Sequence, residues 1–383
     1  MRPRSQFGAF LICRFAVAIL GVGAAAHAAE WHTNGPNGSM GSLLADPAVA
    51  GTVYTSGAQG IYKSRDGGET WDALTIPGNP AGPVAAGSAE TLYAEEVVFD
   101  FPGSVIYTST VYKTSDGGAT WNALFQGLWT TYSLVIDPRT PTTLYRNSLI
   151  FSGDFHFPSY RGALDRSVDG GLTWIAVDAG LELASSVIVA VTLDPRSPDT
   201  LYLATQSGGA GIGGTSVEPA AYESIDSGAH WSKIESAPPG VSTILVLPEA
   251  IIVGSVGGVF RSVDRGETFT LINSVLSGRD RPLAMLVDPL DSDRLFATAL
   301  GLGVQESLDE GVTWTPINDG LSAGGLYASA LAISADGAAL YSTNEDPGVW
   351  VYPIRQTRDP IEPPREESRN PRIVSRRPAP TED

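Results

Sequence analysis

The amino-acid sequence predicts an all-β fold: a seven-bladed β-propeller whose ring is closed by the N-terminal strand completing the last blade. Three observations carry this. A Ser/Thr-x-Asp-x-Gly turn recurs six times, a second motif recurs seven times, and 43 Gly and 27 Pro are spread over 383 residues with only 17% charged side chains. So much Gly and Pro argues against a helix-rich chain, while 43% hydrophobic residues can fill a large core. Repeat architectures routinely exceed ordinary domain size as one unit.

The six turns are Ser64-Arg-Asp66-Gly-Gly68-Glu-Thr70-Trp71, Thr114-Ser-Asp116-Gly-Gly118-Ala-Thr120-Trp121, Ser167-Val-Asp169-Gly-Gly171-Leu-Thr173-Trp174, Ser224-Ile-Asp226-Ser-Gly228-Ala-His230-Trp231, Ser262-Val-Asp264-Arg-Gly266-Glu-Thr268-Phe269 and Ser307-Leu-Asp309-Glu-Gly311-Val-Thr313-Trp314. Their Asp residues lie 50, 53, 57, 38 and 45 positions apart, a period suited to one four-stranded blade and too irregular for a solenoid. Each turn follows a short β-rich run such as Gly60-Ile-Tyr-Lys63 and precedes another such as Trp121-Asn-Ala-Leu124, which makes it a hairpin between third and fourth strands. The Asp carboxylate can accept backbone N–H bonds across the turn and Gly supplies a positive φ. Asp66, Asp116, Asp169, Asp226, Asp264 and Asp309 are therefore structural residues.

The second motif is an apolar run, an Asp-Pro turn and a Leu-Tyr strand. It is clearest at Leu134 to Tyr145, Val191 to Tyr202 and Met285 to Phe296, with looser copies at Leu43 to Tyr54, Val84 to Tyr93, Ile244 to Val253 and Leu331 to Tyr341. These are the first two strands of seven blades, with Pro in the connection. Seven first hairpins against six later turns leave one fourth strand to be supplied. Glu30-Trp31-His32 aligns with Glu69-Thr70-Trp71, and Gly348-Val-Trp350 with Gly60-Ile-Tyr62, so the N-terminal strand completes the last blade and removes an open sheet edge. Residues 29–354 are then one domain of about 47 residues per blade.

The flanks read differently. Arg2 and Arg4, the apolar run from Phe7 to Val22 and Ala26-His27-Ala28 form a secretory signal, residues 1–28, with cleavage near Ala28. Arg14 interrupts the run and leaves it short of a membrane span. The single Cys13 is lost with it, which excludes disulfides and thiolate chemistry from an exported periplasmic or secreted product. Residues 355–383 hold six Pro and thirteen charged residues with few apolar ones, the composition of a disordered tail. Between the flanks stand 14 basic and 36 acidic side chains, which repels nucleic acid and anionic membrane surfaces. A monomer with no integral span after cleavage is expected.

The repeated turns resemble the Asp-box, or bacterial neuraminidase (BNR) repeat, of sialidases, tandem-propeller xyloglucan hydrolases, sortilin-type receptors and photosystem II assembly-factor propellers. The resemblance covers six of seven blades and implies a sialidase-like propeller with the boxes on the face opposite the ligand site. His230 stands where Thr is expected and Phe269 where Trp is expected, which marks blades four and five as less regular. The sialidase Arg-Ile-Pro segment is absent, and only one propeller is present where the xyloglucan hydrolases use two.

Loops joining second to third strands share a face with the blade-to-blade connections. Insertions there fall in blade two around Val97 to Thr110, blade three around Leu149 to Ala163 and blade four around Gln206 to Ala221. Phe99-Asp100-Phe101-Pro102 and Phe155-His156-Phe157-Pro158-Ser-Tyr160 share a pattern. Phe99, Phe101, His156, Phe157 and Tyr160, joined by Trp129 and Tyr132, form either a platform for a glycan or protein partner or simply the apolar anchors of the loops. Glu95, Glu96, Asp100 and Asp154 are the carboxylates of that sector. Of these, Glu95, Asp100 and Asp154 are the catalytic candidates should the chain be a glycoside hydrolase, and otherwise they are solvated surface acids. His32, His156 and His230 are scattered over different blades, and no metal or cofactor motif is present.

Overall fold

The computed structural model describes residues 29–354 apart from positions 39, 58, 79, 89, 101–105, 128, 155–156, 184–185, 198, 208–217, 279–281 and 345. The predicted signal and tail lie outside the described residues. Seven four-stranded antiparallel sheets form the ring, six of them built in chain order from inner to outer strand and the seventh taking its outermost strand from the N-terminus. The N-terminal strand is β1 (His32–Thr33). Blade 1 holds β2 (Met40–Ala45), β3 (Val53–Gly57), β4 (Gly60–Ser64) and β5 (Asp72–Leu74). Blade 2 holds β6 (Pro80–Ala86), β7 (Leu92–Asp100), β8 (Ile106–Thr114) and β9 (Asn122–Gly127). Blade 3 holds β10 (Trp129–Ile136), β11 (Leu144–Asp154), β12 (Phe157–Ser167) and β13 (Ile175–Ala176). Blade 4 holds β14 (Ser186–Leu193), β15 (Leu201–Ser207), β16 (Ala221–Ser224) and β17 (Ser232–Lys233). Blade 5 holds β18 (Val241–Val246), β19 (Ile251–Ser255), β20 (Gly258–Ser262) and β21 (Thr270–Asn273). Blade 6 holds β22 (Pro282–Asp288), β23 (Asp291–Ala299), β24 (Gly303–Ser307) and β25 (Thr315–Pro316). Blade 7 holds β26 (Ala330–Ile333), β27 (Ala339–Thr343), β28 (Trp350–Pro353) and, outermost, β1.

The core lies between blades. Each second strand places a large side chain at one repeated position: Tyr54, Tyr93, Tyr145, Tyr202, Phe296 and Tyr341 are all at most 1% exposed, and Ile252 fills the place in blade 5. Burying such a side chain stabilises by about 1.5–3 kcal/mol. A phenol cannot be buried dry, and the Tyr93 hydroxyl donates to the Gly170 carbonyl at 3.2 Å while that of Tyr145 donates to Ser227 O at 3.3 Å. Both acceptors belong to the repeated turn of the next blade. Lys113 Nζ reaches the same Gly170 carbonyl at 3.2 Å.

The turns themselves are polar clusters. In blade 3, Asp169 Oδ1 accepts the Thr173 N–H at 2.9 Å, and Asp169 Oδ2 accepts the Thr173 hydroxyl at 2.6 Å. The Ser167 hydroxyl donates to Asp169 at 2.8 Å and accepts the Gly171 N–H at 2.8 Å. Gly171 holds φ +91°, and a Cβ there would lie 2.9 Å from Leu124 of the preceding blade, so only Gly fits. The next link fastens the turn to the connection between first and second strands, or in blade 6 to the start of the second strand: Gly67 donates to Gly51 O, Gly117 to Glu90 O, Gly170 to Thr142 O, Ser227 to Asp199 O and Glu310 to Asp293 O, at 2.8–2.9 Å. Blade 5, where the spacing between Asp residues is shortest, shows no such bond among the described residues, because its first connection is only Leu247 to Ala250.

Two expectations need correction. His230 does not loosen blade four: its N–H donates to Asp226 Oδ1 at 2.9 Å and its Nδ1 sits 2.7 Å from Oδ2, replacing the threonine contact. The N-terminal alignment is also one residue out. Trp31, not His32, takes the tryptophan position, since β1 begins at His32, which pairs with Val351 just as Ser232 after Trp231 pairs with Glu223. Trp31 is 3% exposed, its N–H donates to Asp319 O at 2.8 Å and its indole N–H to Ile317 O at 2.5 Å, so the closing strand is pinned to blade 6 as well as paired to β28.

Trp31→Ala is expected to cost about 3–5 kcal/mol, the range for truncating a buried tryptophan, read as a fall in the urea midpoint. The turn carboxylates give a pH dependence. Bonds from Thr70, Thr173, His230 and Thr268 hold Asp66, Asp169, Asp226 and Asp264 down to about 2, against an ordinary value near 3.8. A folded value below the unfolded one gives stability that is present above about pH 4 and is lost as pH falls through about 2. The urea midpoint should therefore decline over that interval, less steeply in Asp169→Asn.

Candidate functional site

The bonds between first connections and repeated turns put both on one face of the ring. The hairpins between second and third strands and the blade-to-blade links occupy the other. On that second face two neighbouring blades stand out. The strands β3 and β4 of blade 1 are five residues each, whereas β7 and β8 are nine and β11 and β12 eleven.

The insertions of blades 2 and 3 are therefore not loops, as the sequence suggested, but continuations of the ladder. Pairing runs unbroken to Asp100 opposite Ile106 in blade 2 and to Asp154 opposite Phe157 in blade 3. The physical reason is composition: Val97-Val98-Phe99 and Ile106-Tyr107-Thr108 in one hairpin, and Leu149-Ile150-Phe151 in the other, are β-branched, aromatic and aliphatic residues that favour a pleated strand. In blade 4, Gln206 and Ser207 extend β15, and the Gly-rich run that follows falls outside the described residues.

Register places the predicted residues as follows. Phe99 pairs with Tyr107, Tyr160 with Phe151, and Phe157 with Asp154. Trp129 pairs with Ile150 at the start of β10, an inner strand, and Tyr132 falls in the bulge between Thr131 and Ser133. Asp100 and Asp154 hold equivalent positions, each ending the second strand of its blade. Phe101 and His156 lie outside the described residues. Glu95 is different: it is fully buried, and the Ser109 hydroxyl donates to its Oε1. A carboxylate so enclosed does not meet a substrate on this face, which removes it from the acid/base candidates. Its neighbour Glu96 accepts the Tyr112 hydroxyl at 3.0 Å, and burial together with Glu96 pushes that phenol up.

Sequence reasoning missed what braces the base of these hairpins. Arg146, 4% exposed, stacks with its guanidinium carbon 4.4 Å from the Phe125 ring centre and 4.8 Å from that of Trp174, and donates to Asp165 at 2.5 Å. One arginine thus ties blade 2 to blade 3 beneath both extensions. The signal was available in the repeat: the residue after the buried aromatic is Thr55, Ala94, Leu203, Ala297 or Ser342 elsewhere, and charged only here. A second feature, an open cleft where blade 7 meets blade 1, lies outside this sector.

Among the described residues no three His, Cys, Asp or Glu side chains gather as a metal site would require, and no helix is long and apolar enough to cross a membrane. Arg146→Ala should cost about 3–5 kcal/mol in denaturant unfolding, because it strands Asp165 and empties the stack between two blades.

No family model matches the chain, and no curated protein does. Solved structures do. A GH74 xyloglucanase from Xanthomonas campestris is similar with a TM-score of 0.60 and 17% identity over 85% of this chain and 53% of its own. An ancestral GH74 enzyme gives 0.62 and 17% over 84% and 46%. The chain thus spans about half the length of these xyloglucanases. YCF48 from Cyanidioschyzon merolae gives 0.54 and 15% over 85% of this chain and 98% of its own, and YCF48 bound to D1 peptide gives 0.55 and 14% over 86% and 96%. The fold these neighbours share with the chain is the propeller, and both an enzyme and a peptide-bound protein are built on it.

Proposed function

We propose that the protein is an exported, non-catalytic binding module that takes a protein or glycan partner on the face carried by blades 2 to 4. The observation behind this is the pair of adjacent hairpins, β7–β8 and β11–β12, extended well past their counterparts and carrying aromatic residues in paired register. Rigid strands present contact residues with less ordering cost than loops of the same length, and aromatic residues dominate recognition surfaces. Near-complete coverage of YCF48, against half coverage of the xyloglucanases, supports a single propeller acting as a binder. Of the two chemistries a polypeptide is favoured, because one solved neighbour was captured with a peptide.

One observation favours a second reading, a glycoside hydrolase. Asp100 and Asp154 end the second strands of adjacent blades on one face, and a glycoside hydrolase uses a pair of carboxyl groups.

The test replaces Phe101, Trp129 and Phe157 by Ser together. Capture of partners from an envelope extract, identified by mass spectrometry, should be lost while the thermal midpoint holds. An unfolded triple variant would make these residues hairpin core and defeat the proposal. Product formation from xyloglucan or another polysaccharide, abolished by Asp100→Asn or Asp154→Asn, would establish the second reading instead.

A further inference from the structure

The link from blade 7 to blade 1 differs from the others in what it buries. Other links set Ile76, Val177 with Leu183, Leu276 and Leu321 into the clusters between blades. Residues 34–38 read Asn-Gly-Pro-Asn-Gly and bring no large apolar side chain to the seam. Space is left in consequence. An open cleft of about 520 Å³ lies there, lined in part by Asn34, Asn37, Gln59, Tyr62 and Trp71.

We propose that this seam cleft binds a neutral, polyhydroxylated ligand, a sugar unit of mono- or disaccharide size, independently of the extended hairpins of blades 2 and 3. Its volume is in the range of small-ligand sites, about 300–1,000 Å³. None of the described residues that line it is charged, and the Glu69 carboxylate beside it is committed to Asn34 and His32, so the lining itself offers an ion no counter-charge. Three carboxamides offer paired donors and acceptors, which is what hydroxyl groups that both donate and accept require. Asn34 is already oriented, since its Nδ2 donates to Glu69 Oε2 at 2.6 Å across the seam. Trp71 has its indole N–H committed to Gly68 O at 3.1 Å, which leaves carbon surface for the apolar face of a sugar ring. Tyr62 adds a second aromatic on β4.

Isothermal titration of the full chain with cellobiose, maltose and lactose tests this, with glucose 6-phosphate as the charged probe. At least one neutral disaccharide should saturate the protein at millimolar concentration while the phosphate does not. Trp71→Ala, Asn37→Ala and Gln59→Ala should each weaken it by about tenfold or more. Trp314→Ala is the control, because Trp314 makes the same indole bond to its own turn, to Gly311 O at 2.8 Å, but lies in blade 6. Should Trp71→Ala unfold, Asn37→Ala and Gln59→Ala decide, since both residues are exposed. The proposal would be overturned by no saturation by any of the sugars, by affinity that survives both amide variants, or by affinity that falls equally in Trp314→Ala. The triple hairpin variant should retain sugar affinity, and its loss there would assign the sugar to the hairpin face and end the seam reading.

Discussion

The contact on which the ring depends is made between blades: a buried aromatic on one second strand meets the polar turn of the next blade. A four-stranded sheet this small cannot hide both faces alone, so each blade buries its apolar surface against two neighbours. The aromatic supplies area and, at Tyr93 and Tyr145, a hydroxyl that donates to a carbonyl of the neighbouring turn, whereas the Tyr202 hydroxyl donates to Glu223 of its own blade. That carbonyl is available because the Asp and Ser side chains have already satisfied the turn's N–H groups. Turn chemistry and interblade packing are thus one device, and it operates on one face.

Committing that face to assembly frees the other. Hairpins between second and third strands make none of these turn bonds, so their length can change without disturbing the ring, and in blades 2 and 3 it has. The support they need is local. Arg146 gives it by filling the gap between Phe125 and Trp174, where a smaller aliphatic would leave both rings without a partner. Its buried charge is tolerated because Asp165 and two aromatic faces replace water.

How much of this was legible in the sequence follows from what repeats. Fold, blade number and ring closure were readable, because six turns and seven first hairpins, each with two large apolar or aromatic residues in the second strand, repeat similar residues at the same positions. The one-residue slip at Trp31 arose where the repeat is shortest: with no turn before it, the strand offers only Trp and two polar residues to align. The insertions were misread for the opposite reason. A stretch without a counterpart in other blades looks like a loop, and only its β-branched and aromatic content argued for continued pairing. The seam cleft was invisible, since it results from missing side chains in a connection, and an absence has no motif.

The first glycine position of the turn shows how such a repeat tolerates change. Gly67, Gly117 and Gly170 occupy it with φ of +70° to +75°, and Ser227, Arg265 and Glu310 replace them at +55° to +59°. A side chain in that conformation costs about 1–2 kcal/mol, so each replacement should bring a contact that glycine cannot make. Ser227 donates to Asp199 at 2.6 Å, and Glu310 accepts from Arg261 of the preceding blade. In the glycine turns of blades 2 and 3 the neighbour supplies the contact instead, with Lys63 reaching Gly117 O at 3.4 Å and Lys113 reaching Gly170 O at 3.2 Å. The cation thus comes from the preceding blade at the turns of blades 2, 3 and 6, whereas the turn of blade 4 supplies its own polar group. Both solutions tie the turn to its surroundings, and the variation at this position in blades 2, 3, 4 and 6 is accounted for by packing without reference to a ligand.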